Sequence, residues 1–267
     1  MSDRQQWQWV DEDPIDRILR SAQQKKVEED AALRQASELY HSGRLEEARE
    51  VLEKAPRGED GSSEILAALG RVQFELERYQ EAAACYAAWA QADGAGALAH
   101  FSLAVCLERL EQWRPAADAF RKALALDART AGARAGLGAC LLHLDQLAEA
   151  LDVFDEALAT GCDRDAALFG RGAALQRLGR LEEAEPCYQH LLRLRPDTEE
   201  ALANLIALSV ERGDAVAIRS YSRRLLDLCP ESQIALQGLA TVAMLAERAA
   251  QAETPVSIER AGTLLEA

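Results

Sequence analysis

The sequence predicts an all-α fold, a solenoid of antiparallel helix pairs built from about seven units of 34 residues, and three observations carry that reading. Ala48, Ala82, Ala116, Ala150 and Ala184 recur at a fixed step of 34 residues. Tyr86, Phe120, Phe154 and Tyr188 keep the same step, although aromatics make up only 5% of the chain. Gly70, Gly138 and Gly172 share a third register, with Ala36, Ala104 and Ala240 in the equivalent places. A fixed period of this length marks a small supersecondary unit that must stack on its neighbours to bury its apolar face. Units therefore begin at Glu29, Ser63, Ala97, Ala131, Asp165, Glu199 and Gln233, with no insertion between them.

From the N-terminus, residues 1–12 form an acidic tail that carries Trp7 and Trp9. Asp13-Pro14 is a helix start, an acceptor cap followed by proline in the first helical place. Ile15, Ile18, Leu19 and Ala22 then share one face, so residues 13–28 are expected to form an N-terminal capping helix. Residues 29–232 hold six repeats, each expected as two helices. In the fourth, Leu137, Leu141 and Leu144 step at helical spacing up to the polar break Asp145-Gln146. Leu147, Ala150, Leu151, Phe154 and Leu158 form the second helix, which Gly161 ends. Pro196 and Pro230 close the next two units. Gly138 and Ala150 let the two backbones approach, and Phe154 fills the gap toward the neighbouring helix. The sixth unit exchanges volumes: Ile206 and Ile218 replace the small residues and Ser222 the aromatic. Trp89 stands where other units have Ala55, Ala123 and Ala157, so a wider junction follows unit two. Residues 233–267 read as a degenerate seventh repeat and a C-terminal cap that starts at Thr254-Pro255.

The segment Leu168–Pro196, with Gly172, Ala184, Tyr188 and Pro196 in the signature places, resembles a tetratricopeptide repeat of the bacterial type. The resemblance extends from Glu29 to about Ser232. It implies a right-handed superhelix whose first helices line a concave groove for peptides or protein surfaces, and hence a protein–protein interaction scaffold.

Charge and composition narrow the partners. The net charge is −15 with no basic stripe, which disfavours nucleic acid and anionic membrane surfaces. No apolar run approaches the roughly 18 residues of a membrane span. Met1 to Pro14 lacks the basic-then-apolar order of a signal peptide, and the six cysteines include no CxxC pair. A cytoplasmic protein is expected. His41, His100, His143 and His190 are dispersed, which gives a metal site no support. Cys106 and Cys140 share one place in successive units, and Cys85 and Cys187 share another, which fits packing rather than redox chemistry. Equivalent residues in adjacent units lie about 10 Å apart, beyond the roughly 7 Å limit for a disulfide. Acidic pairs such as Glu46-Glu47 and Glu182-Glu183 sit at second-helix starts, where the helix dipole favours them. No cluster supports catalysis or a cofactor, so the chain is not expected to be an enzyme.

If the units stack as the resemblance implies, the second, fifth, ninth, twelfth and thirteenth residues of each unit face the groove. Leu98, Phe101, Val105, Leu142 and Phe169 then form its floor, extended by Tyr40 and Phe74 on one side and Val210 on the other. Arg109, His143 and Arg177 form a spaced row along it, with Arg71 nearby. Chaperone-binding members of the family grip a terminal carboxylate with lysine and asparagine in places held here by Leu33, Ala67, Phe101, Ala135 and by Ser37, Arg71, Val105, Ala139. That pattern is absent. An apolar floor with arginines suits a partner with hydrophobic anchors and acidic residues. Phe101–Phe120 also resembles, more loosely, repeat chaperones that shield hydrophobic secreted proteins, which is the alternative function. Trp7, Trp9 and the acids Asp11–Asp13 match the same chemistry, so the tail is a pseudo-ligand candidate, folded back or lodged in a second molecule of a homo-oligomer.

Overall fold

Helix pairs follow one another along the chain in a computed structural model that describes residues 14–56, 63–92, 94, 96–161 and 163–253. Among these residues every regular element is an α-helix, thirteen in all. They are α1 (Pro14–His41), α2 (Leu45–Lys54), α3 (Ser63–Glu75), α4 (Tyr79–Gln91), α5 (Ala97–Arg109), α6 (Trp113–Leu126) and α7 (Ala133–His143). Then come α8 (Leu147–Thr160), α9 (Arg164–Arg177), α10 (Leu181–Leu194), α11 (Glu199–Arg212), α12 (Ala215–Leu228) and α13 (Gln233–Glu253). The chain divides into two compact units, residues 1–136 and 137–267.

In the first unit α1 pairs with α2, α3 with α4, and α5 with α6, and α4 also packs on α5. The sequence sets which face turns inward. In α6, Ala116, Ala117, Phe120 and Ala123 recur at helical spacing and are fully buried or nearly so. Phe120 lies against the backbone of Gly136. Trp89 is half-buried beside Tyr86, with ring centroids 6.2 Å apart, and packs with Leu103 on the Tyr86–Cys106 cluster.

In the second unit α9 pairs with α10 and α11 with α12, while α8 packs on α9 and α12 on α13. The Phe154 ring lies between Gly138 and Gly170, and a methyl group on Gly138 would come within 2.5 Å of it. The expected volume exchange in the sixth repeat is present. Ile206, Ile218 and Ser222 are buried and converge on Gly238, where a methyl group would meet the Ser222 hydroxyl and the Ile206 Cγ2. The Ser222 Oγ has no hydrogen-bond partner among the described residues.

The same turn closes the hairpins. At the first, the Gly43 N–H donates to the Tyr40 carbonyl and the Arg44 N–H to the Leu39 carbonyl, a Schellman motif around a left-handed residue. The bond from five residues back repeats at Arg78, Gln112, Gln146, Arg180 and Asp214.

Both ends differ from expectation. Residues 14–28 are not a separate cap, because α1 runs unbroken from Pro14 to His41. No glycine or proline interrupts that stretch, so nothing breaks the backbone ladder. The seventh hairpin does not form among the described residues either. Glu247-Arg248 occupies the turn place, yet α13 continues through it to Glu253. The places covered in earlier units are consequently open: Leu168 and Leu202 are 5% and 0% exposed, but their counterpart Leu236 is 45% exposed. The expected C-terminal cap, starting at Thr254, lies outside the described residues.

Candidate functional site

Side chains on the outward face of the first helices are the candidate site, and each compact unit presents its own set. In the first unit the set comes from α1, α3 and α5. Tyr40, Phe74, Phe101 and Val105 are half-buried, while Leu98 is 60% exposed. Phe101 is anchored from beneath by an edge contact with Phe120, centroids 5.9 Å apart, and by the backbone of Gly132. Phe74 meets Tyr79 edge-on at 5.2 Å. Each ring therefore has one side in the core and one toward solvent.

Two arginines lie on this apolar floor. The Arg71 guanidinium stacks over the Tyr40 ring, 5.3 Å from its centroid, and Arg109 over the Phe74 ring at 5.5 Å. Stacking on an aromatic face holds the cation in place and leaves its edge of N–H donors pointing outward. Both arginines are exposed, and neither forms an ion pair with a described residue. The Tyr40 hydroxyl donates to the Glu75 carboxylate at 3.3 Å. Burial, then that carboxylate, hold its phenol above the usual range, and Arg71 pulls the other way. Beside the Arg71–Tyr40 stack a cavity of about 190 Å³ opens between α1 and α3, floored by Leu33, Ala36, Ala68 and Val72.

In the second unit the expected residues fall out differently. Leu142 and Phe169 are half-buried against the core, and Phe169 meets Tyr188 edge-on at 5.9 Å. Val210 is 39% exposed, and His143 is exposed at the end of α7. Arg177 is not a free member of the row. One of its nitrogens donates to the Leu142 carbonyl and another to Asp145 at 2.9 Å, so it clips the turn after α7. A cavity of about 350 Å³ lies beside Phe169, bounded by Ala166, Leu191 and Thr198, with Asp165 and Arg195 paired at its edge.

The sequence placed Tyr40, Arg71, Phe74 and Arg109 on one face but did not pair them. The partners are 31 and 35 residues apart, so no single period reveals both stacks. The cavity between α1 and α3 went unread for a related reason: its floor is alanine and aliphatic, the same residues that fill the core. Trp7 and Trp9 lie outside the described residues.

Other chemistry finds little here. Among the described residues no group of three or more histidine, cysteine or acidic side chains is placed to hold a metal ion. Burial pushes the Cys106 thiol up to about 12, with Cys85 adding to the shift and Arg109 opposing it, so the group stays protonated and unreactive at neutral pH. No described helix is long and apolar enough to cross a membrane.

Comparison with known proteins agrees with this geometry. Family models described as tetratricopeptide repeat match residues 67–113, 107–167 and 165–198. No curated protein sequence matches the chain. Among solved structures, PilF of Pseudomonas aeruginosa is 19% identical with a TM-score of 0.65, over 81% of this chain and 98% of that one. MamA of Desulfovibrio magneticus is 20% identical with a TM-score of 0.59, over 67% and 99%. YrrB, a tetratricopeptide-repeat protein with an unusual peptide-binding site, is 20% identical with a TM-score of 0.55, over 65% and 89%. At such identities the likeness is one of fold.

Proposed function

Because the chain belongs to the tetratricopeptide-repeat family, we propose that it is a protein–protein interaction scaffold that holds a peptide or protein segment on its first-helix face. The observation that carries this reading is the pair of exposed guanidiniums, Arg71 and Arg109, stacked on aromatic rings beside an apolar cavity and without carboxylate partners among the described residues. Such a surface favours a segment with acidic residues and an apolar or aromatic anchor. The acids pair with the donor edges, and the anchor removes its apolar area from water at about 25 cal/mol per Å². The second unit contributes Phe169, Leu142 and Val210 as apolar contacts, with Arg177 already engaged. No reaction is assigned to this face. The proposed compartment is the cytoplasm, where the buried thiols of Cys106, Cys140 and Cys187 serve as small apolar side chains.

Phage-displayed random peptides selected on the purified full chain test the reading. Enriched sequences should combine Asp or Glu with Trp, Phe or Leu. Their affinity should fall at least tenfold in Arg71→Glu/Arg109→Glu, since each charge-assisted hydrogen bond contributes about 1.5–3 kcal/mol. Peptides that are uniformly apolar and indifferent to that substitution would instead favour the chaperone for a hydrophobic secreted protein.

A further inference from the structure

We infer that the first-unit arginine face is occupied by the N-terminal segment of a second copy of this chain. The inference rests on the peptide-binding reading above and names its ligand. The chain carries 45 acidic against 30 basic side chains, and on this acidic molecule Arg71 and Arg109 are held by ring stacking on an apolar floor with no ion-pair partner among the described residues. A complementary ligand has an aromatic anchor for the cavity beside Arg71 and carboxylates a few residues away. The thirteen residues before α1 hold that combination: Trp7, Trp9, Asp11, Glu12 and Asp13. The spacing also fits. Arg71 and Arg109 stack on rings of neighbouring helices, α1 and α3, and packed helices lie about 8–10 Å apart. Three residues of extended chain, the step from Trp9 to Glu12, span about 10 Å.

The unbroken α1 decides whose tail it is. Tyr40, under Arg71, lies 26 residues beyond Pro14 in one continuous helix, a distance of about 39 Å at 1.5 Å per residue. Asp11, Glu12 and Asp13 are within three residues of Pro14, and a fully extended chain carries them at most about 11 Å from it. The acids therefore cannot reach the arginines of their own chain, and the folded-back arrangement is ruled out. Residues 20–28 of α1 are all exposed, so this stretch of the helix is not packed into the core of the described repeats. Only another copy's face is within reach of the whole motif.

Sedimentation velocity over a concentration series tests this with the full chain, a chain lacking residues 2–12, and full-length Arg71→Glu/Arg109→Glu. The full chain should associate with rising concentration, and the other two should sediment as monomers. Mixing the truncated chain with the full-length double variant should restore a complex, because one supplies the face and the other the tail. A synthetic peptide of residues 1–13 should bind the truncated chain and lose at least tenfold in affinity on adding the two arginine substitutions. Truncated and full chains of equal mass at every concentration, or an oligomer that survives truncation, would overturn the inference. If the synthetic peptide fails while phage-selected acidic peptides still bind, the inference alone falls. If neither binds, the peptide-binding reading falls with it.

Discussion

The Phe154 ring touches the backbone of Gly138 in its own repeat and of Gly170 in the next, and Phe120 does the same at Gly136. The first partner was legible in the sequence, because the small residue before each hairpin keeps the repeat step. The second was not. Its column runs Ala68, Ser102, Gly136, Gly170, Asn204 and Gly238, which share no single residue type, although all but Asn204 are small. Another column holds a local flaw. Leu107, Leu141 and Leu175 recur in the first helices, but the second repeat has Gln73, 5% exposed, whose Oε1 has no hydrogen-bond partner among the described residues. A buried polar atom left unpaired costs about 1–3 kcal/mol. Gln73→Leu should therefore raise stability by about 1–2 kcal/mol in a urea titration, with an unchanged m-value. A loss of stability would mean that the amide has a partner the packing conceals.

At the scale of elements, the hairpin turns show what a repeat tolerates. Gly43, Glu77, Glu111, Asp145, Gly179 and Gly213 follow the repeat step and all have positive φ, between 56° and 76°. The left-handed region costs a residue with a side chain about 1–2 kcal/mol. Glu77→Gly and Glu111→Gly should each stabilise the chain, by less than about 1 kcal/mol once the greater freedom of glycine in the unfolded chain is counted. Asp145→Gly should gain less, since it also removes the ion pair with Arg177. Thermal unfolding checks the order, and Gly179→Glu should lower the midpoint. A Gly179→Glu chain as stable as the parent would refute the turn argument. Repeat phase located these turns, but glutamate in a glycine place carries no signal of its own. Pro186 was missed in the same way: α10 runs through it from Leu181 to Leu194, because packing of Ala184, Cys187, Tyr188 and Leu191 outweighs one missing donor. The ends failed for the opposite reason. Period alone placed a break before Glu29 and a turn at Glu247, whereas a break needs a residue or a docking surface that stops the helix.

For the molecule as a whole, an uninterrupted register made the fold class readable from residue spacing. The helix pairs follow from it. The binding face was legible as a set of positions only. Side chains that share a face can stack, clip a turn or stand free, and spacing does not separate Arg109 over Phe74 from Arg177 bound to Asp145. The account's central claim is that partners meet the first helices rather than the second. Photo-crosslinking from p-benzoylphenylalanine tests it directly, placed in separate chains at Leu98 and Val210 on first helices and at Asp118 and Arg219 on second helices, all exposed. The account predicts partner adducts from Leu98 and Val210, with Leu98 adducts lost in Arg71→Glu/Arg109→Glu, and none from Asp118 or Arg219. Adducts confined to Asp118 and Arg219 would contradict it.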